Sequence, residues 1–346
     1  MPKKIVRVGS VAIGDGHVSV QSMTTEKTGD VSKSVAQIIR LENAGCEIVR
    51  VAVLDEEDAR AIEKIKRSVS VPIVADVHFS PRLAVLAVEA GADKLRINPG
   101  NIGGERELSL VADCVKAHKI PVRVGANTGS IEKSALAKYG RSAEALVESA
   151  LQSARLLEKH GVEDLVLSVK ASDVPLTVEA YELLARRTEY PLHLGVTEAG
   201  VEEEGIVKSS IGIGALLLRG IGDTIRVSLT ADPVKEVIAG HRILRACGLE
   251  TDYVEVISCP TCGRCAYDCA GLAARVSERV RSVRRPLKIA VMGCVVNGPG
   301  EARGCDLGIA GGREYCVIMQ KDREDVRVSV HEAEQKFFER LEELLQ

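Results

Sequence analysis

The chain has no tryptophan, and only three phenylalanines and six tyrosines among 346 residues. That scarcity leaves no platform for stacking nucleic-acid bases and no aromatic belt for a membrane interface. No apolar run reaches the roughly 20 residues a spanning helix needs, and the opening MPKKIVRVGS lacks the apolar core of a signal segment. A net charge of −3 gives no bulk attraction to nucleic acid or to an anionic membrane. The expectation is a soluble, cytoplasmic protein with neither nucleic acid nor membrane as partner. A Gly-x-Gly-x-x-Gly turn after the first strand-like string is also missing, which counts against a dinucleotide fold. The core must therefore be aliphatic.

Cysteine, in contrast, is plentiful: ten residues, which a reducing cytosol would keep as thiols for metal or redox work rather than disulfides. Cys259 and Cys262 form a Cys-x-x-Cys pair in SCPTCGRC, and Cys294 precedes Glu301 in GCVVNGPGEARGC. Pairs of this kind with a distant third cysteine are metal or iron–sulfur ligands more often than packing residues. Three thiolates and a carboxylate would hold one iron of a 4Fe–4S cluster weakly, open to exchange for substrate. Spacing alone leaves alternatives. Cys259, Cys262, Cys265 and Cys269 read C-x2-C-x2-C-x3-C as in bacterial ferredoxins, four-thiolate zinc uses similar pairs, and Cys305 is a spare. Cys46, Cys114, Cys247 and Cys316 stand in apolar or helical contexts and read as core filler.

Eight short strand-like strings recur: HVSVQSM, EIVRVAV, VPIVADV, KLRINPG, PVRVGAN, DLVLSVK, PLHLGVT and TIRVSLT. Helical stretches such as SKSVAQIIRLENAG and EEDARAIEKIKRSV separate them, some ending at glycine. Eight strand–helix units predict a closed (β/α)8 barrel over residues 1–240, with an open doubly wound sheet as the alternative. Within the strings one parity is aliphatic, as in Val49, Val51 and Val53, and would face the helices. The other carries Gln21, Arg50, Asp76, His78, Arg96, Asn98, Arg123, Lys170, His193, Thr197, Arg226 and Ser228, which should point inward near the strand C-termini.

Five converging cations (Arg50, Arg96, Arg123, Lys170 and Arg226) need negative charge, because an unpaired buried charge costs several kcal/mol. Their expected acids, Asp76 and Glu198, are too few. A bound phosphate or diphosphate is the better match than a purely internal network. For His193 a satisfied interior histidine is the simpler reading, whereas His78 lies closer to the mouth. Thr24, Thr25 and the Asn98–Asn101 loop would sit on the rim.

After the eighth string the pattern changes. KIAVMGC, DLGIAGG, EYCVIMQ and VRVSV read as strands, and HEAEQKFFERLEELLQ as an amphipathic helix. A smaller C-terminal α/β iron–sulfur domain over 241–346 is expected. In it Cys259 and Cys262 would precede a helix whose N-terminal dipole favours an anionic cluster. A tight turn at Asn297-Gly298-Pro299-Gly300 would return Glu301 toward Cys294.

Taken in order, VQSMTT, IVRV, VADVHF, LRINPGNIG, VSVKASD, PLHLGVTEAG, SCPTCGR and GCVVNGPGEA resemble the 4-hydroxy-3-methylbut-2-enyl diphosphate synthase family nearly end to end. The resemblance is to its bacterial two-domain form, a TIM barrel followed by a cluster domain. It implies that Cys259, Cys262, Cys294 and Glu301 hold a 4Fe–4S cluster, and that Arg50, Arg96, Arg123 and Lys170 grip a substrate diphosphate. It further implies that Asp76, His78, Asn98, Asn127, Glu198, Ser228 and Asn297 line the site. Cys265 and Cys269 are extra thiols where the family is expected to have no ligand. The implied reaction turns 2-C-methyl-D-erythritol 2,4-cyclodiphosphate into 4-hydroxy-3-methylbut-2-enyl diphosphate with two electrons and loss of water, in isoprenoid synthesis. Flavodoxin or ferredoxin would be the donor, and Glu198 the candidate proton donor. The competing class is a non-enzymatic iron–sulfur or zinc carrier or sensor, which would not need the inward polar set. A last expectation concerns assembly. The helix after the eighth strand should end at the barrel's N-terminal face, so a partner's cluster domain would cap the mouth in a head-to-tail homodimer, as the resemblance also implies.

Overall fold

The computed structural model describes residues 4–346, so the first three residues of the opening stretch lie outside it. The chain divides into two compact units, the first ending at Leu249 and the second running Glu250–Gln346. The division falls beyond the 240/241 boundary drawn from the sequence. That boundary would cut the helix Pro233–Ala246, which packs on a barrel strand and stays with the barrel.

The first unit opens with an antiparallel hairpin, β1 (Val6–Val8) and β2 (Val11–Ile13), which the sequence patterns did not reveal. Eight parallel strands follow: β3 (Ser19–Met23), β4 (Ile48–Val53), β5 (Ile73–Val77), β6 (Lys94–Arg96), β7 (Val122–Asn127), β8 (Leu165–Lys170), β9 (His193–Leu194) and β10 (Thr224–Ile225). Each lies in one of the eight recurring strings. Their order is β8-β7-β6-β5-β4-β3-β10-β9, and a parallel bridge between Leu167 and Leu192 joins the two ends into a barrel. Most connecting helices start where a short polar side chain accepts a first-turn N–H: Asp30, Asp55, Ser80, Ser142, Asp173 and Asp232.

Strand parity sorts the residues as expected. Val49, Val51, Val53, Leu95, Val122, Val124, Leu165, Leu167 and Ile225 are buried in one aliphatic cluster with the surrounding helices. On the inner face Ile48, Val74 and Val166 pack with Val6, Val8 and Ile13. The hairpin thus plugs the barrel floor with apolar side chains, and polar groups occupy the levels above. No described helix is long and apolar enough to cross a membrane.

The second unit is a five-stranded mixed sheet, β11 (Val254–Ser258), β12 (Leu287–Met292), β13 (Leu307–Gly311), β14 (Tyr315–Gln320) and β15 (Val326–Ser329), in sequential order. The first three run parallel, β14 runs antiparallel to β13, and β15 antiparallel to β14. One core cluster joins the sheet to the helices Cys269–Val280 and Val330–Leu345, through Leu272, Val276, Phe337 and Leu341 on Ile289 and Ile309. A second cluster gathers Ala290, Met292, Ala310 and Met319 with Ala302, from the single helical turn Gly298–Ala302.

Candidate functional site

The inner strand parity builds the first candidate site. On β5, Asp76 is the hub: Arg96 Nη1 donates to its Oδ1 at 3.0 Å, Arg50 Nε lies 3.5 Å from its Oδ2, and His78 Nε2 lies 3.4 Å from its Oδ1. His78 also contacts Arg96. Arg123 Nη1 donates to Ser168 Oγ at 2.9 Å, a partner on β8 not singled out from the sequence.

The second interior acid is not Glu198. Glu236, in the first turn of the helix Pro233–Ala246 and 4% exposed, takes a bond from Arg226 Nε at 3.3 Å, from Ser22 Oγ at 2.9 Å and from the Leu229 N–H at 3.0 Å. Strand parity could not show it, because it reaches the interior from a helix. Glu198 lies just past β9, exposed, with φ +52°. A left-handed glutamate is unfavourable and persists only where its surroundings enforce it.

Lys94 was also missed. It alternates in phase with Arg96 and is fully buried, and among the described residues its Nζ has no hydrogen-bond partner. Arg50, Lys94, Arg96, Arg123, Lys170 and Arg226 therefore face two carboxylates, Asp76 and Glu236. Burial and then neighbouring guanidinium groups push Lys94 and Arg123 well below their usual pKa, and Lys170 likewise. Burial also draws Arg50 down to about 10, although Asp76 opposes it. For Asp76 burial acts to raise the pKa, but Arg50, His78 and Arg96 outweigh it and hold the carboxyl well below its usual range. His193 is interior, as expected, yet among the described residues neither ring nitrogen has a hydrogen-bond partner. Burial, then Lys170 and Arg123, keep the imidazole neutral.

Gly195 gives Lys170 its room, since a Cβ there would lie 2.6 Å from Lys170 Nζ and 2.8 Å from the Arg226 carbonyl. The remaining expected residues have plainer surroundings. Asn98 is buried, and its Oδ1 accepts from Gly100 N at 3.1 Å, which shapes the rim turn. Asn127 ends β7 with its N–H on Ser130 Oγ, and Ser228 is half-buried beyond β10. The barrel interior is thus an electropositive chamber whose charge suits a multiply charged anion.

A second candidate site lies in the C-terminal unit. A cleft of about 460 Å³ is lined by Cys259, Cys262, Cys294, Glu301 and Asn297, with Arg264 and Met292 among its other walls. Cys265, Cys269 and Cys305 do not line it. One local expectation holds in space and one changes. The helix after Cys262 begins only at Cys269, yet that first residue lies beside Cys259, Sγ to Sγ 3.9 Å, so the helix N-terminus still adjoins Cys259. The Asn297–Gly300 stretch opens a helical turn, with Asn297 at the N-cap position, rather than a tight turn, and still carries Glu301 to the cleft. Backbone N–H groups of Asn297 and Val296 pull the Cys294 thiol below its ordinary pKa, which favours the thiolate. Among the described residues no three His, Cys, Asp or Glu side chains converge on one metal-ion position. The four donors are instead spread around a cleft.

The chain matches the GcpE TIM-barrel domain over residues 3–241 and the GcpE protein C-terminal domain over 255–343. It is 56% identical over 320 residues (92% of this chain, 90% of the relative) to a protein of Caldanaerobacter subterraneus subsp. tengcongensis named 4-hydroxy-3-methylbut-2-en-1-yl diphosphate synthase (flavodoxin). A protein of Thermotoga petrophila with the same name is 54% identical over 345 residues, 99% of this chain and 98% of its own. Among solved structures, a truncated 3-deoxy-D-arabino-heptulosonate 7-phosphate synthase from Thermotoga maritima superposes with a TM-score of 0.52 at 15% identity. It covers 71% of this chain and 94% of its own, a likeness of fold alone.

Proposed function

Since this chain belongs to the GcpE family, we infer that it reduces 2-C-methyl-D-erythritol 2,4-cyclodiphosphate to 4-hydroxy-3-methylbut-2-en-1-yl diphosphate. The reaction takes two electrons, opens the ring and releases water. One observation carries the substrate class: six basic side chains in the barrel interior against two carboxylates. Diphosphate supplies the missing charge.

Arg50, Arg96, Arg123 and Lys170 hold the cyclic diphosphate. Their charge counts most as the C–O bond to phosphate breaks and negative charge gathers on the departing oxygen. Asp76 keeps Arg50 and Arg96 turned inward, at 3.5 and 3.0 Å, so little rearrangement is needed when the anion arrives. Glu198, exposed just past β9, donates the proton with which the hydroxyl leaves as water. His78, Asn98, Asn127 and Ser228 complete the barrel wall around the ligand, and Asn297 that of the cleft.

The cleft's donor set suits a 4Fe–4S cluster: three cysteines and one carboxylate, spaced around a volume larger than a single ion needs. Cys259, Cys262, Cys294 and Glu301 would hold it, and it would supply electrons one at a time. Flavodoxin, which the relatives' names carry, is the proposed donor in preference to ferredoxin. A thiol-reducing cytoplasm is the compartment that suits such a site.

We also propose a head-to-tail homodimer in which a partner's cleft meets each barrel mouth. Exposed Leu54, Phe79 and Val201 follow the C-terminal ends of barrel strands, and exposed Val295 and Val296 adjoin Cys294. Apolar rims of this kind favour burial against a partner. Mixing Arg123→Ala with Cys294→Ala chains should then restore turnover that neither has alone. No complementation would overturn the shared site. The activity itself is tested by turnover of the cyclodiphosphate with anaerobically reconstituted protein and a low-potential reductant. Iron- and sulfide-loaded protein that leaves it unchanged would refute the assignment.

A further inference from the structure

Beside the cleft, behind Cys259, the fold gathers three thiols that the proposed reaction does not use as a group. Cys259 Sγ lies 3.9 Å from Cys269 Sγ, and both lean on the end of β12: Cys269 Sγ donates to the Val291 carbonyl at 3.4 Å, and the Gly293 N–H donates to Cys259 Sγ at 3.1 Å. Cys265 is the third. A Cβ on Gly293 would stand 2.5 Å from Cys265 Sγ and 3.2 Å from Cys259 Sγ, so glycine is what allows the thiols to crowd there. Cys265 itself points to the Tyr267 carbonyl at 3.2 Å.

We propose that Cys259 and Cys269 are a redox modification site, joining as a reversible disulfide whenever the chain lacks its cluster. Cys259 lines the cleft and is partly exposed, so a low-molecular-weight disulfide reaches it first. Cys269 is buried at the first position of its helix and is held beside Cys259. The Cys259 thiolate attacks the small disulfide, which forms a mixed disulfide and expels one thiol. Cys269 then attacks the Cys259 sulfur and expels the second. Two protein thiols are oxidised, one external disulfide is reduced to two thiols, and the two protons lost by the protein end on them. Closing 3.9 Å to the roughly 2 Å of an S–S bond needs a swing of Cys259. Residues 259–268 form no helix or strand that would resist it.

The consequence, though not the cross-link, rests on reading Cys259 as a cluster ligand. The disulfide withdraws that ligand in a form a dithiol restores, and shields it from the irreversible steps of thiol oxidation.

The test treats cluster-free, full-length protein with oxidised glutathione and maps cysteines by tandem mass spectrometry. Free thiols should fall from ten to eight per chain, with Cys259 joined to Cys269. Iron uptake should be lost until dithiothreitol is added, and cluster-loaded protein should stay unmodified. Cys269→Ser should leave Cys259 carrying glutathione, while Cys265→Ser should keep the cross-link. Pairing of Cys259 with Cys262, Cys265 or Cys294, or loss of the cross-link in Cys265→Ser, overturns the proposal. Failure of reduced wild type and reduced Cys269→Ser alike to take up iron and sulfide would instead count against the cluster reading and leave the cross-link standing.

Discussion

Replacing Asp76 by asparagine keeps the shape of the barrel hub and removes its charge. Asp76 is 8% exposed, and the side chains of Arg50 and Arg96 are 11% and 15% exposed, so solvent screens the set weakly. Removing one partner of a buried ion pair costs about 3–5 kcal/mol, because the other charge is left uncompensated. Spread over the 249-residue barrel unit, at about 2.1 cal/mol/K per residue, the unfolding entropy is on the order of 0.5 kcal/mol/K. Asp76→Asn should therefore lower the thermal midpoint by about 6–10 °C. Inorganic pyrophosphate should raise the midpoint more in the variant than in the wild type, since it replaces the missing negative charge. The assay is thermal unfolding of both proteins at fixed ionic strength, with and without pyrophosphate. A fall under about 2 °C, or equal stabilisation of both proteins, would refute the claim that Asp76 balances Arg50 and Arg96.

Three further outcomes are expected. His193 is held neutral, so below its ordinary pKa of 6.5 the unfolded chain binds a proton that the folded chain refuses, and stability drops as pH falls. His193→Leu should remove up to about 1.4 kcal/mol per pH unit of that slope below pH 6.5 and leave the slope above it unchanged, as read by urea unfolding at several pH values. Gly195→Ala should cost about 1–3 kcal/mol through overpacking and raise KM for the cyclodiphosphate roughly tenfold or more by displacing Lys170; an unchanged KM would show that Lys170 does not touch the substrate. Glu198→Gln should reduce kcat about a hundredfold or more with iron and sulfide content intact, and normal turnover would remove Glu198 as proton donor.

Much of this protein was legible in one dimension because its physics is periodic. A parallel barrel strand alternates strictly between a helix-facing and an inward side. Val49–Arg50–Val51 or Leu95–Arg96–Ile97 therefore declares both the fold and the cations that need an anion. The spacing of the cysteines pointed to a metal or cluster site in the same way, and left several ligand sets open. Tertiary structure decided what periodicity cannot carry. Glu236 enters the interior from a helix, so it replaced Glu198 as the second acid on grounds no strand pattern holds. Lys94 was hidden at the deep end of a three-residue strand, in register with Val74, which packs on the hairpin plug. Only folding around Gly293 placed Cys259 in the cleft with Cys262, Cys294 and Glu301 while turning Cys269 behind it. Chain spacing sets which residues can be neighbours along an element; side-chain direction across elements is set by packing, and there the sites were completed.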